Sequence, residues 1–183
     1  MFMRTQRLFL RPVFLEDWRG IYRGIADETI VRNLARAPWP YTEDDARQFC
    51  ATAAQGEGHR FVITLPQAVG APIIGMIGFE QLDSVGEEVG YWIGRDWQGR
   101  GYATEALHGV VEIADAIGID TIEARHFLDN PASGCVLRKA GFADTGEITA
   151  TRSLGRGDEQ VLSRRYVKNL RVTAAVSERP AAA

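Results

Sequence analysis

The hydrophobic period of this chain changes at Gly101, and that change limits the folds open to it. Upstream, "EEVGYWIGRDW" (Glu87–Trp97) alternates apolar and polar positions as a strand does. Downstream, Ala103, Ala106, Leu107, Val110, Val111, Ala114 and Ile117 recur at steps of three and four, which predicts a long helix closed by Gly118. "DTIEARHFL" (Asp120–Leu128) then reads as another strand. Strand, long helix and strand in succession require a right-handed crossover between parallel strands.

The flanking segments complete the sheet. "RLFLRP" (Arg7–Pro12) alternates and stops at proline, as a strand end does. "HRFVITL" and "PIIGMIGFEQL" are strands joined by a turn around Pro66–Pro72, and with the Glu87 strand they form an antiparallel meander. "ADTGEITATRSL" and "EQVLSRRYVKNL" close the chain as a hairpin. Of the helices, "LEDWRGIYRGIADETIVRNL" carries Trp18, Ile21, Tyr22 and Ile25 at helical spacing but is weakened by Gly20 and Gly24, so it reads as short or broken. Thr42 caps "TEDDARQFCATAAQ", whose first-turn acids suit the helix dipole. Asn130 and Pro131 open a short helix that Gly141 ends. The fold class is therefore α/β (α+β): a single mixed, mostly antiparallel sheet of about seven strands flanked by helices. Residues 1–170 are expected to form one domain, and 171–183 a disordered tail.

Composition excludes several alternatives. The 183 residues are enough for one core without staples. A net charge of -3 argues against a dedicated nucleic-acid binder. The two cysteines, Cys50 and Cys135, show no CxxC spacing, so neither a disulfide framework nor a metal site is expected, and both read as buried thiols. Apolar runs are too short for a membrane span, and the first residues lack a signal-peptide core, so a cytoplasmic protein is expected.

The chemistry concentrates at Gln98–Ala103, "QGRGYA", at the head of the long helix. The first turn of a helix leaves backbone N–H groups unpaired, and with the dipole they favour an anion, above all phosphate. Gly99 and Gly101 keep side chains away from those groups, and Arg100 adds a planar cation. The glycines could equally serve only a tight turn. A Walker A loop needs a lysine that is absent here, and the dinucleotide fingerprint GxGxxG would need glycine where Thr104 stands. No HExxH zinc motif or GxSxG elbow occurs, and His59, His108 and His126 have no motif spacing.

Three blocks in order, "TQRLFLRPVFLEDW", "EVGYWIGRDWQGRGYATEA" and "NPASGCVLRKAGF", resemble the GNAT superfamily of N-acetyltransferases. The likeness is to the branch holding the ribosomal-protein N-terminal acetyltransferases (RimJ/RimL-like), and it covers roughly Thr5 to Val167. The signature [RQ]-x-x-G-x-[GA] is met by Gln98-Gly-Arg-Gly101-Tyr-Ala103. The resemblance implies direct transfer of acetyl from acetyl-CoA to an amine, without metal. It assigns the diphosphate cradle to Gln98, Gly99, Arg100, Gly101, Tyr102, Ala103 and Thr104. It places the pantetheine arm against backbone of Trp92, Ile93 and Gly94 and on Asn130, and a hydroxyl, Ser133, near the sulfur. Glu88, on the strand leading to the cradle, is the candidate general base, with Glu87, Asp83 and Glu80 as rivals. Trp18, Tyr22, Trp39 and Tyr41 are candidates to line the acceptor side. The acceptor is a protein N-terminus or a small amine such as an amino acid, polyamine or antibiotic; a non-catalytic acyl-CoA-binding module is the reading from another class. Neither nucleic acid nor membrane is expected as a partner, and the last hairpin offers an edge for a homodimer.

Overall fold

The computed structural model describes residues 1–56, 58–81 and 86–171. Strands β1 (Met3–Arg4), β2 (Phe9–Pro12), β3 (His59–Thr64), β4 (Ile73–Gln81) and β5 (Glu87–Ile93) run antiparallel to one another. β5 pairs in parallel with β6 (Thr121–Phe127). β8 (Glu159–Asn169) then inserts between β6 and the edge strand β7 (Ala143–Ser153), giving the order β1-β2-β3-β4-β5-β6-β8-β7. The sheet thus has eight strands rather than seven. The extra one, β1, spans only two residues and is too short for alternation to reveal it.

Helices cover both faces. α1 (Trp18–Ile25), α2 (Glu28–Val31) and α3 (Glu43–Ala54) lie on one face, where Ile21, Ile25, Val31 and Cys50 pack on Val62, Met76 and Trp92. α4 (Tyr102–Ala116) and α5 (Pro131–Lys139) lie on the other, where Leu107, Val110, Ile113 and Leu137 pack on Ile63, Ile77, Val89 and Ile122. Each of these side chains is almost fully buried, so truncating Leu107 to alanine would cost about 2–5 kcal/mol. The segment is short and divided as expected, but α1 runs unbroken through Gly20 and Gly24 and ends at Ile25, before α2 starts at Glu28; both glycines serve close packing. A Cβ on Gly24 would lie 2.9 Å from the Trp92 ring, and one on Gly20 2.9 Å from Ile73.

Caps follow the sequence. Thr42 Oγ1 accepts from Asp45 N–H while Asp45 returns a bond to Thr42 N–H. Asn130 Oδ1 accepts from Ser133 N–H, with Pro131 in the first turn. Cys50 is buried, and burial pushes its thiol up to about 11. Cys135 is exposed, contrary to expectation: α5 buries Gly134 and Leu137 and packs Val136 on the core, which leaves Cys135 turned outward, where Arg138 Nη2 donates to its sulfur at 3.1 Å. No helix among the described residues is long and apolar enough to cross a membrane. Asp83 and the tail from residue 172 onward lie outside the described residues.

Candidate functional site

The parallel pair that the crossover builds is short. β5 and β6 are in register only at Glu87–Ile122, Glu88–Glu123 and Val89–Ala124. Beyond Val89, β5 continues against β4 alone, so a gap opens between the two strands. Antiparallel pairing alternates which neighbour each residue bonds. Gly94 N–H donates to Ile74 O at 2.9 Å, so Gly94 and Trp92 face β4, and Tyr91 and Ile93 turn their backbone groups into the gap. Gln98 Nε2 donates to Ile93 O at 2.8 Å and ties the next loop to that edge.

The loop ends at the head of α4. Gly99 and Gly101 both have left-handed backbone, φ 73° and 79°, which favours glycine. Nothing lies within 4 Å of a Cβ built on Gly99. The first intrahelical bond runs from Glu105 N–H to Gly101 O. Among the described residues, no backbone or side-chain acceptor is bonded to the N–H groups of Gly99 through Thr104. Tyr102 is buried, whereas Arg100 is exposed and its guanidinium lies 5.4 Å from the Trp97 ring centre. The segment fits a diphosphate by what it leaves free: a row of amides, two Cβ-less positions and one exposed cation.

A cavity of about 480 Å³ lies between the sheet and α1–α3 and reaches through the gap to α5. Its walls include Ile21, Ile25, Tyr41, Phe49 and Trp92. Of the four aromatics expected beside it, only Tyr41 lines it; Trp39 is exposed, and Trp18 sits beneath the guanidinium of Arg47 at 3.8 Å. Glu88 enters on the α1–α3 face, shared with Trp92. Burial pushes its carboxyl above the ordinary range, against the pull of Arg125, whose Nε lies 3.3 Å away. Its rival Glu80 sits directly opposite on β4. Burial acts on Glu80 too, but ion pairs with Arg36 and Arg60 hold its carboxyl below the ordinary range. Glu87 is one residue out of phase, so it projects from the other side of the strand.

On the α4–α5 face, Ser133 lines the same cavity. Asn130, half-buried, is occupied through its side-chain oxygen in capping α5. Ser133 Oγ lies 2.9 Å from the hydroxyl of Tyr91. The cavity thus brings Glu88 and Ser133 to one space from opposite faces of the sheet.

Two features escape sequence reading. Tyr91 reads as a strand aromatic, and only the fold brings it to Ser133. Glu105, in the first turn of α4, accepts from Thr5 Oγ1 at 2.6 Å, Arg7 N–H at 2.7 Å and Arg7 Nε at 2.7 Å. It locks the β1–β2 turn to the head of the helix. The only local signal is an acid in a first helical turn.

This arrangement has known counterparts. The acetyltransferase (GNAT) domain family matches residues 7–143. The uncharacterized N-acetyltransferase p20 of Bacillus licheniformis is 26% identical over 148 residues, covering 78% of this chain and 82% of p20. Among solved structures, a GNAT-family acetyltransferase from Bacillus anthracis superposes with a TM-score of 0.80 at 20% identity, covering 93% of this chain and 99% of the other. RimL, a ribosomal L7/L12 alpha-N-protein acetyltransferase solved with coenzyme A, superposes with a TM-score of 0.75 at 16% identity, covering 92% and 98%. With a strand gap beside an amide-lined helix head and a family match over most of its length, the chain belongs to the GNAT acetyltransferase family and is an acetyl-CoA-dependent N-acetyltransferase.

Proposed function

We propose that this enzyme acetylates the N-terminal α-amine of a protein or peptide, with Glu88 as base and Ser133 as acid. The observation that carries this reading is the single cavity reached by Glu88 from one face and by Ser133 from the other through the β5–β6 gap. An α-amine, with a pKa near ~7.7, is partly neutral at pH 7 and needs only weak base assistance. A half-buried carboxylate with a raised pKa is suited to that assistance. The likeness to RimL, whose name states an alpha-N-protein acetyltransferase, supports the same acceptor.

Acetyl-CoA supplies the acetyl group as a thioester. The amides of Gly99 through Thr104 would hold its diphosphate, with Gln98 bracing the loop and Arg100 adding charge. The gap-facing backbone of Tyr91 and Ile93 would pair with the pantetheine arm, and an N–H there would stabilise the oxygen on which charge develops. Trp92 packs against Gly24 and walls the acceptor side, while the side-chain nitrogen of Asn130, which donates to no acceptor among the described residues, would serve the arm. Glu88 takes the amine proton, and Ser133 gives one to the departing sulfur.

The test is a mass-spectrometric survey of peptides with free N-termini, and of amino acids, polyamines and aminoglycosides, incubated with enzyme and acetyl-CoA. Acetylated peptide α-amines are expected. Turnover confined to small amines overturns the acceptor, and tight coenzyme A binding without thiol release from any acceptor identifies a binding module.

A further inference from the structure

The Ser133 hydroxyl has one side-chain partner among the described residues, Tyr91, and the two residues reach it from different elements. Tyr91 projects from β5, immediately after Gly90, toward the α4–α5 face. Its hydroxyl lies 2.9 Å from Ser133 Oγ and 3.3 Å from Ser133 O. Each hydroxyl has one proton and can accept as well as donate. If the serine donates to the tyrosine, its proton is not available to the gap. If the phenol donates to the serine oxygen, the serine proton is left free to point elsewhere. Burial pushes the Tyr91 phenol up to about 12, which keeps it a protonated donor.

We propose that Tyr91 is a positioning residue for acetyl transfer: its phenol donates to Ser133 Oγ and turns the serine proton toward the leaving sulfur. This rests on the role given above to Ser133. As the C–S bond breaks, its electron pair stays on sulfur and the serine proton moves there. As the serine proton leaves, the phenol, the stronger acid, passes its own proton to Ser133 Oγ across the 2.9 Å hydrogen bond, and solvent returns a proton to Tyr91. The amine proton leaves separately through Glu88, so protons balance over the cycle. Hydrogen bonds to a charged oxygen are the stronger kind, so the phenol matters more during transfer than at rest.

The test is a double-mutant cycle of Tyr91→Phe and Ser133→Ala, read as thiol released from acetyl-CoA with a peptide acceptor. Tyr91→Phe keeps the ring and is expected to lower kcat about tenfold, with the acetyl-CoA KM within about twofold. In the Ser133→Ala background the same change is expected to cost less than about twofold, because the phenol acts only through the serine. Tyr91→His, which keeps an N–H donor, is expected to recover part of the rate and guards against a folding defect in the phenylalanine variant. Equal losses in both backgrounds, or a Tyr91→Phe enzyme as fast as wild type, overturn the inference while leaving the acetyltransferase reading intact. A wild type that releases no thiol with any acceptor overturns both.

Discussion

Glu88 and Glu80 stand opposite each other on β5 and β4 with side chains on one face, a pairing that destabilises a sheet unless cations offset it. The offset is uneven. Glu80 is ion-paired with two arginines, Arg36 and Arg60, while among the described residues Glu88 is ion-paired with Arg125 alone, feels Arg36 from farther off, and shares Arg125 with Thr149 Oγ1, which accepts from it at 2.8 Å. Glu80 is therefore held as a carboxylate, and Glu88 retains its proton to higher pH than an ordinary glutamate. The sign for catalysis follows. A base works deprotonated, so kcat/KM rises with pH through an inflection above the ordinary value of 4.5, and again through that of the acceptor α-amine near ~7.7. Glu88→Gln should remove the lower inflection, leave the upper one, and lower kcat/KM about 100-fold. Because ionising a carboxyl with a raised pKa costs folding free energy, the same change should not lower Tm at pH 7. Initial rates from pH 4 to 9 on both enzymes check this, and two inflections surviving in the variant would remove Glu88 from the role of base.

The head of α4 depends on an element far away in sequence. Glu105 binds Thr5 and Arg7, about a hundred residues earlier, and Arg7 Nη1 donates to Arg100 O at 3.0 Å within the cradle itself. The Arg7 guanidinium also covers the Tyr102 ring at 4.6 Å. Glu105→Ala strands these donors and should cost about 2–3 kcal/mol, lowering Tm by about 5 °C or more and weakening coenzyme A binding. Burial alone would raise the Glu105 carboxyl, but its bonds to Thr5 and Arg7 hold it below the ordinary range, so this contribution is lost as pH falls through that lowered value. Gly101→Glu attacks the cradle directly, adding strain at φ 79° and a carboxylate among the free amides, and calorimetry should detect no coenzyme A binding. The crossover, the glycine loop and the caps of α3 and α5 were legible because each is written in a few consecutive residues. The Glu105 lock, the two-residue β1 and the outward Cys135 were not. A hydrogen bond across a hundred positions leaves no periodic trace, two residues cannot alternate, and nine residues of helix define a buried face poorly.

Across the molecule, the roof over the acceptor cavity is held by the far end of the chain. The residues after α2 that line the cavity, Leu34 and Ala35, are bonded from the β7–β8 connection: Ser153 Oγ donates to Leu34 O at 3.2 Å, and Leu154 N–H to Ala35 O at 2.9 Å. Arg156 donates to Arg32 O at 2.7 Å and grips Asp129, next to the Asn130 cap of α5, at 2.8 and 2.9 Å. Between them Gly155 presses against Val31, where an added Cβ would come 2.4 Å from the carbonyl oxygen. Backbone contact that close cannot relax by a rotamer change, so one layer must move. The cradle is built on the loop after β5 and the head of α4, and among the described residues it shares none of these bonds. Gly155→Val is therefore expected to displace the roof and leave the cradle in place. The KM for a peptide acceptor should rise about tenfold or more while acetyl-CoA binding stays within about twofold, a split read by varying each substrate with the other saturating. If the hairpin instead stabilises the fold as a whole, the two constants worsen together and Tm falls with them; if it has no part in the acceptor site, neither moves.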